Sequence, residues 1–138
     1  MYLPSRGFSD FEEWNMNKTE VFKSNLLHIE LVENDTSISS NWKGKSIDRK
    51  PGLFITPILM KLLKEGNEGD KEIVLDFREI EYMNSSTITP VIKVLERAKR
   101  REGKITVLYK KSLKWQELIF TALEIFQTKD QKVQIIGC

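Results

Sequence analysis

The run Glu-Ile-Val-Leu-Asp-Phe at residues 72–77 constrains the fold more than any other part of the chain. Alternate residues of an extended strand point to opposite sides, and here both sides carry apolar groups: Ile73, Leu75 and Phe77 on one, Val74 on the other. Such a strand belongs at the centre of a sheet, covered on both faces or nearly so. After a link over residues 78–84, Ile88, Val91, Ile92, Leu95 and Ala98 recur at the three-four spacing of a helix that ends near Gly103. Lys104 to Lys110 (KITVLYK) is again a strand. A strand, a helical crossover and a second strand pack as a parallel unit, so the chain belongs to the α/β class.

The remaining segments extend this pattern. Leu26 to Val32 alternates as a strand, Glu33-Asn34-Asp35 is a turn, and Thr36 to Trp42 is a weaker strand, which together predict a hairpin. The chain turns polar from Lys43 to the Pro51-Gly52 loop end. Phe54 to Glu65 then fits a helix with Ile55, Ile58, Leu59, Leu62 and Leu63 on one face and Gly66 as its terminator. Ser112 can cap a further helix carrying Leu113, Leu118, Phe120, Leu123 and Phe126, and Val133 to Ile136 closes with a strand. The expected order is β-β-α-β-α-β-α-β, in a mixed, mostly parallel central sheet with helices.

A length of 138 residues corresponds to one domain. Residues 1–22 are expected to form a short helical extension to a domain over residues 23–138. Phe8, Phe11 and Trp14 recur there at helical spacing among Asp10, Glu12 and Glu13, with Ser9 placed to cap and Glu12 three residues on. So short a helix is unstable alone, so its aromatic stripe should dock on its own domain or on a partner.

Composition removes several function classes. Hydrophobic residues are 40% and charged residues 30%, the balance of a globular chain rather than a disordered or membrane-embedded one. The longest mostly apolar stretch, Gly52 to Met60, is far too short to cross a bilayer and contains Pro57. Met1 to Asp10 has neither the basic start nor the apolar run of an export signal, so a cytoplasmic location is expected. A single cysteine, Cys138, and a single histidine, His28, argue against an internal disulfide and against the common zinc sites. The glycines are scattered, with no phosphate-cradling pattern ahead of a helix. No metal and no cofactor is expected. Charge is uneven: residues 1–35 hold three basic and seven acidic side chains, and residues 89–114 hold nine basic and two acidic ones. The basic run Lys99, Arg100, Arg101 and Lys104 falls at a helix C-terminus, where cations are favoured in any case, and no base-stacking aromatics accompany it, so nucleic acid is not expected as a partner. Trp42 and Trp115 read as packing residues, Trp115 partly exposed.

The most distinctive stretch is Ile73 to Ile92, IVLDFREIEYMNSSTITPVI: a strand ending near Asp76, a short link, and three hydroxyls, Ser85, Ser86 and Thr87, at the mouth of a helix. Hydroxyl side chains accept hydrogen bonds from the free amides of a first turn, which explains one of the three. Pro90 lacks an amide hydrogen and belongs in or beside the first turn, which predicts the cap at Ser86 or Thr87. Asp76 is expected to cap the turn that follows it. Ser86 as a catalytic nucleophile would need a base, and His28 sits on a strand among apolar neighbours. No Gly-x-Ser-x-Gly elbow is present, so no catalytic residues are expected and the chain reads as a non-enzyme.

On these residues the chain resembles the STAS family, the anti-sigma-factor antagonists and their relatives. Leu75-Asp76-Phe77 matches the family's strand end, Tyr82-Met83 its hydrophobic link, and Asn84-Ser85-Ser86 its switch segment, and the likeness extends over about residues 26 to 137. The resemblance implies a single STAS-like domain that is reversibly phosphorylated, with Ser86 at the acceptor position and Ser85 and Thr87 as further candidates. It implies a protein Ser/Thr kinase of the anti-sigma type, a PP2C-like phosphatase, and an effector bound in one state, with Met83, Asn84, Ser85, Ser86, Thr87 and Thr89 on the docking face beside the loop Lys43 to Arg49. Asn84 stands where the family has aspartate, and Thr87 where it has glycine. An Asn before a hydroxyl cluster is closer to a STAS-like branch of bacterial phosphoproteins that regulate a diguanylate cyclase. The rival expectation is a structural or scaffold subunit, in which the hydroxyls merely cap a helix and the Phe8, Phe11, Trp14 arm holds a homodimer together.

Overall fold

The computed structural model of the chain describes residues 18–100 and 103–138. The stripe Phe8, Phe11 and Trp14 lies outside the described residues. Seven strands form one sheet: β1 Lys18–Ser24, β2 Leu27–Glu33, β3 Ser37–Ser46, β4 Glu72–Asp76, β5 Ile80–Met83, β6 Ile105–Tyr109 and β7 Val133–Gly137. Among the described residues three helices, α1 Gly52–Gly69, α2 Ser85–Ala98 and α3 Lys114–Ala122, connect the later strands, and a 3-10 turn, Leu123–Phe126, extends α3. The sheet runs β1-β2-β3-β4-β6-β7, antiparallel through the first three strands and parallel thereafter. It is a mixed, mostly parallel α/β fold, and Glu72–Asp76 lies inside the sheet as its sequence requires.

Two strands were not legible in the sequence. Residues 18–22, the expected end of the helical extension, lie in β1, which pairs antiparallel with β2 along its whole length across a turn at Asn25 and Leu26. Asn25 takes the left-handed conformation such a turn needs (φ 53°). β5 occupies the expected link after β4. At ten residues β3 is twice as long as β4, so its far end has a free edge once β4 stops, and β5 pairs parallel to it there.

Among the described residues the helices pack on one face of the sheet. Leu27, Ile29, Leu31, Ile38, Trp42, Ile73, Leu75, Phe77, Ile105, Val107, Val133 and Ile135 form a single core with the inner sides of the helices. An aromatic chain crosses it: Trp42 to Phe77 at 4.7 Å between ring centres, Phe77 to Phe120 at 5.1 Å, and Phe120 to Tyr109 at 5.4 Å. Trp42 is fully buried and donates its indole N–H to Ser40 Oγ at 2.9 Å, while Trp115 is half-buried. The expectation that both faces of β4 are covered does not hold, because Val74, Glu72 and Asp76 are half-exposed among the described residues. His28 also lies on this outer face, exposed between Lys23 and Lys43 as cross-strand neighbours rather than among apolar ones.

Helix boundaries shift for identifiable reasons. α1 runs through Gly66, which is buried inside the helix, and ends at Asp70 in the left-handed conformation (φ 52°). α2 begins at Ser85, before either expected cap. α3 is preceded by Leu113 with no side-chain cap, so Ser112 does not serve there. Pro57 and Pro90 are each the sixth residue of their helices, past the first turn. A proline there leaves the carbonyl four residues earlier without its intrahelical donor, Leu53 in α1 and Ser86 in α2.

Candidate functional site

The site is built where β3, β5 and the start of α2 converge. A bulge between Gly44 and Lys45 lets the end of β3 pair with β5. Gly44 takes φ +87°, and a Cβ there would collide with the Leu26 carbonyl oxygen, so glycine is required. The Lys45 amide donates to that same carbonyl at 3.0 Å. This sets Ser46, 2% exposed, against the first turn of α2, where the Asn84 amide donates to the Ser46 carbonyl at 3.0 Å.

Asn84 is the cap of α2. Its Nδ2 donates to the Asp48 carbonyl at 2.9 Å, which fixes Oδ1 toward the helix, where it accepts from the Thr87 amide at 3.1 Å and the Thr87 hydroxyl at 2.8 Å. Because the Thr87 proton is used in that bond, the Ser46 hydroxyl is the donor in the 2.6 Å contact between Ser46 Oγ and Thr87 Oγ1. The Asp48 carboxylate accepts from Asn25 Nδ2 at 2.7 Å and Ser24 Oγ at 3.3 Å, tying the same segment back to the β1–β2 turn. Asn84→Ala removes three of these bonds, and thermal or denaturant unfolding should report a loss of about 1–2 kcal/mol.

These contacts separate the three hydroxyls. Thr87 is fully buried and committed to the cap network, so it is sealed from any modifying enzyme and leaves the set of candidate acceptors. Ser85 and Ser86 are exposed as the first two residues of α2, and their hydroxyls make no hydrogen bond among the described residues. Met83 is 3% exposed and cannot present itself to a partner, and Asn84 is half-buried with its side chain engaged, whereas Thr89 is exposed. The cap falls at Asn84, not Ser86 or Thr87, because a side-chain amide reaches the loop and the helix at once, which outweighs the displacement of Pro90 into the second turn.

The surface beside the two serines carries charges of both signs and some apolar groups, with Glu79 and Glu81 exposed at β5. Lys43, Lys45, Arg49 and Lys50 are exposed on the segment that packs against the helix start, and Ile47 and Tyr82 are each 48% exposed. Lys43 makes a loose ion pair with Glu79 at 3.9 Å, both side chains well solvated. Asp76 caps its turn as expected: it accepts the Arg78 amide at 3.0 Å and grips the guanidinium at 3.0 Å and 2.7 Å. The hydrogen bond to Asp76, then its charge, holds the Arg78 pKa above the ordinary arginine value. Both oxygens of Asp76 are therefore occupied.

Sequence reasoning missed two supports of this site. Ser46 carried no signal, since its role depends on the bulge at Gly44. Gln116, fully buried on α3, accepts from the Lys110 amide at 2.8 Å and donates to the carbonyls of Phe77 at 2.9 Å and Ile80 at 3.0 Å. It pins the chain between β4 and β5, and β5 leads directly into Asn84.

Comparison with protein-family models and with curated proteins finds no match to this chain. Among the described residues no group of three or more His, Cys, Asp or Glu side chains is placed to hold a metal ion. No helix among them is long and apolar enough to cross a membrane.

Proposed function

We propose that this chain is a non-enzymatic, STAS-like regulatory domain of the bacterial cytoplasm, in which phosphorylation of Ser86, or of its neighbour Ser85, switches docking to a signalling protein. The single observation that carries this reading is the division of labour at the helix mouth. Asn84 caps the helix through the Thr87 amide and hydroxyl, so the exposed hydroxyls of Ser85 and Ser86 are not needed for the cap. The helix N-terminus offers free amides and the positive end of the helix dipole, a setting in which a phosphate of about −1.5 to −2 charges is tolerated without unfolding. Removing Thr87 from the candidates sharpens the switch to two adjacent positions.

The partners that fit the reading are a Ser/Thr kinase of the anti-sigma type, an opposing PP2C-like phosphatase, and an effector such as an anti-sigma protein or a diguanylate cyclase. Ile47, Thr89 and the serines form the face an effector would cover, with Lys45 and Arg49 at its rim. Incubation with the cognate kinase and ATP, followed by peptide mass spectrometry, should place one phosphate on Ser85 or Ser86 and none on Thr87. Phosphate confined to other segments defeats the assignment.

A further inference from the structure

The sheet ends in two edge strands, β7 and β1, and the chain treats them differently. Along β7 the outward backbone groups are taken up locally. The Val133 amide donates to Thr128 Oγ1 at 3.0 Å, the Val133 carbonyl accepts the Thr128 amide at 3.2 Å, and the Ile135 amide donates to Gln127 Oε1 at 2.9 Å. Among the described residues nothing pairs with the outer side of β1. Asn25 and Leu26 close a two-residue hairpin, so Ser24 and Leu27 are a hydrogen-bonded pair, and by alternation Phe22, Glu20 and Lys18 also bond to β2. The amides and carbonyls of Thr19, Val21 and Lys23 therefore point to the open edge, which is a template for a further strand.

We infer that the strand added there is β1 of a second copy of this chain, antiparallel, with Val21 opposite the partner's Val21. The first ground is register. Two-fold pairing about Val21 sets Thr19 opposite the partner's Lys23 and uses every outward-facing residue of both strands, whereas pairing about Glu20 or Phe22 leaves one of them unused in each copy. The second ground is charge. In this register Lys18 lies opposite the partner's Ser24, whose hydroxyl sits 3.3 Å from the Asp48 carboxylate. Lys18 is exposed and Asp48 half-buried, and neither has an ion pair among the described residues, so the pairing supplies each with an opposite charge, twice over by symmetry. Glu20 falls opposite the partner's Phe22 and is already held by Lys61 at 2.9 Å, and no like charges stand directly opposite one another. The third ground is apolar surface. Val21, 52% exposed in the single copy, is covered by its mate. Phe22, with Leu53, Phe54, Pro57 and Ile58 of α1, lines an apolar depression of about 350 Å³ beside the edge, and the partner's Phe22 comes diagonal to it, within the reach of an aromatic side chain. α1 packs over β3 and β4, at least two strands in from the edge.

The test uses the full chain with Cys138→Ser, which excludes disulfide-linked dimers. Sedimentation equilibrium should show a monomer in exchange with a dimer, and hydrogen exchange should slow at the Thr19, Val21 and Lys23 amides as concentration rises, more than at Glu20 and Phe22, which are bonded within the hairpin. Val21→Pro deletes the central outward amide without removing a bond to β2 and should abolish the dimer. Lys18→Glu should weaken it about tenfold, because two attractive contacts become repulsive. The inference is overturned if the parent chain sediments as a monomer at every concentration, if it dimerises with the three edge amides unprotected, or if both variants dimerise as the parent does. Protection of those amides that does not depend on concentration equally overturns it, since a segment of the same chain would then cover the edge.

Discussion

A chain carrying Ser86→Asp should keep its fold and lose its partner. Ser86 is the second residue of α2 and exposed, and an acidic side chain in a first turn interacts favourably with the helix dipole, by about 0.3–1 kcal/mol. Its melting temperature should therefore match or slightly exceed that of the parent chain. A partner surface shaped to a small neutral hydroxyl would have to desolvate the new carboxylate, at a cost of several kcal/mol on an order-of-magnitude scale. Each 1.4 kcal/mol is a factor of ten in affinity, so capture of the effector should fall about a hundredfold or more. Ser86→Ala should retain capture and lose control by the kinase. Equal capture by both variants would instead favour a scaffold in which the serines have no regulatory part.

The second large effect is structural. Gln116→Leu keeps the side-chain volume nearly constant but removes three hydrogen bonds at once, from the Lys110 amide and to the Phe77 and Ile80 carbonyls. At about 1 kcal/mol for each bond lost in a buried setting, the chain should be less stable by about 3 kcal/mol. For a domain of this size that corresponds to a melting temperature lower by about 10 °C. Because Gln116 anchors the passage from β4 to β5, amide exchange at Tyr82, Met83 and Asn84 should also accelerate more than exchange in β6. A stability change under 1 kcal/mol would show that the neighbouring groups find other partners.

The elements most legible in the sequence were those whose pattern is local. The apolar alternation of β2, the short apolar runs of β4 and β6 and the three-four spacing of α1 and α2 placed those elements within a few residues. β1 and β5 were not legible, because neither is defined by its own pattern. β1 is exposed along most of its length and exists by pairing with β2, and β5 fills the edge that β4 leaves vacant on β3. The same distinction runs through the site. Three hydroxyls at a helix start could be read directly, but which of them is free depends on Asn84, Ser46 and Asp48, brought together from distant parts of the chain. Thr87 and Met83 therefore joined the expected docking face although both are buried.

The two prolines give the helix mouths a property of their own. With Pro57 and Pro90 in place, the Leu53 and Ser86 carbonyls have no amide donor four residues on, so the opening turn of each helix is joined to the rest by one backbone bond fewer. These neighbouring turns meet where Gly52 approaches the Pro90 ring. An enzyme that must draw a serine into its own cleft needs a short piece of backbone that yields locally while the core stays shut. Ser85 and Ser86 stand on a turn held by the Asn84 side chain and the Ser46–Thr87 contact, and none of these residues belongs to the aromatic chain from Trp42 to Tyr109.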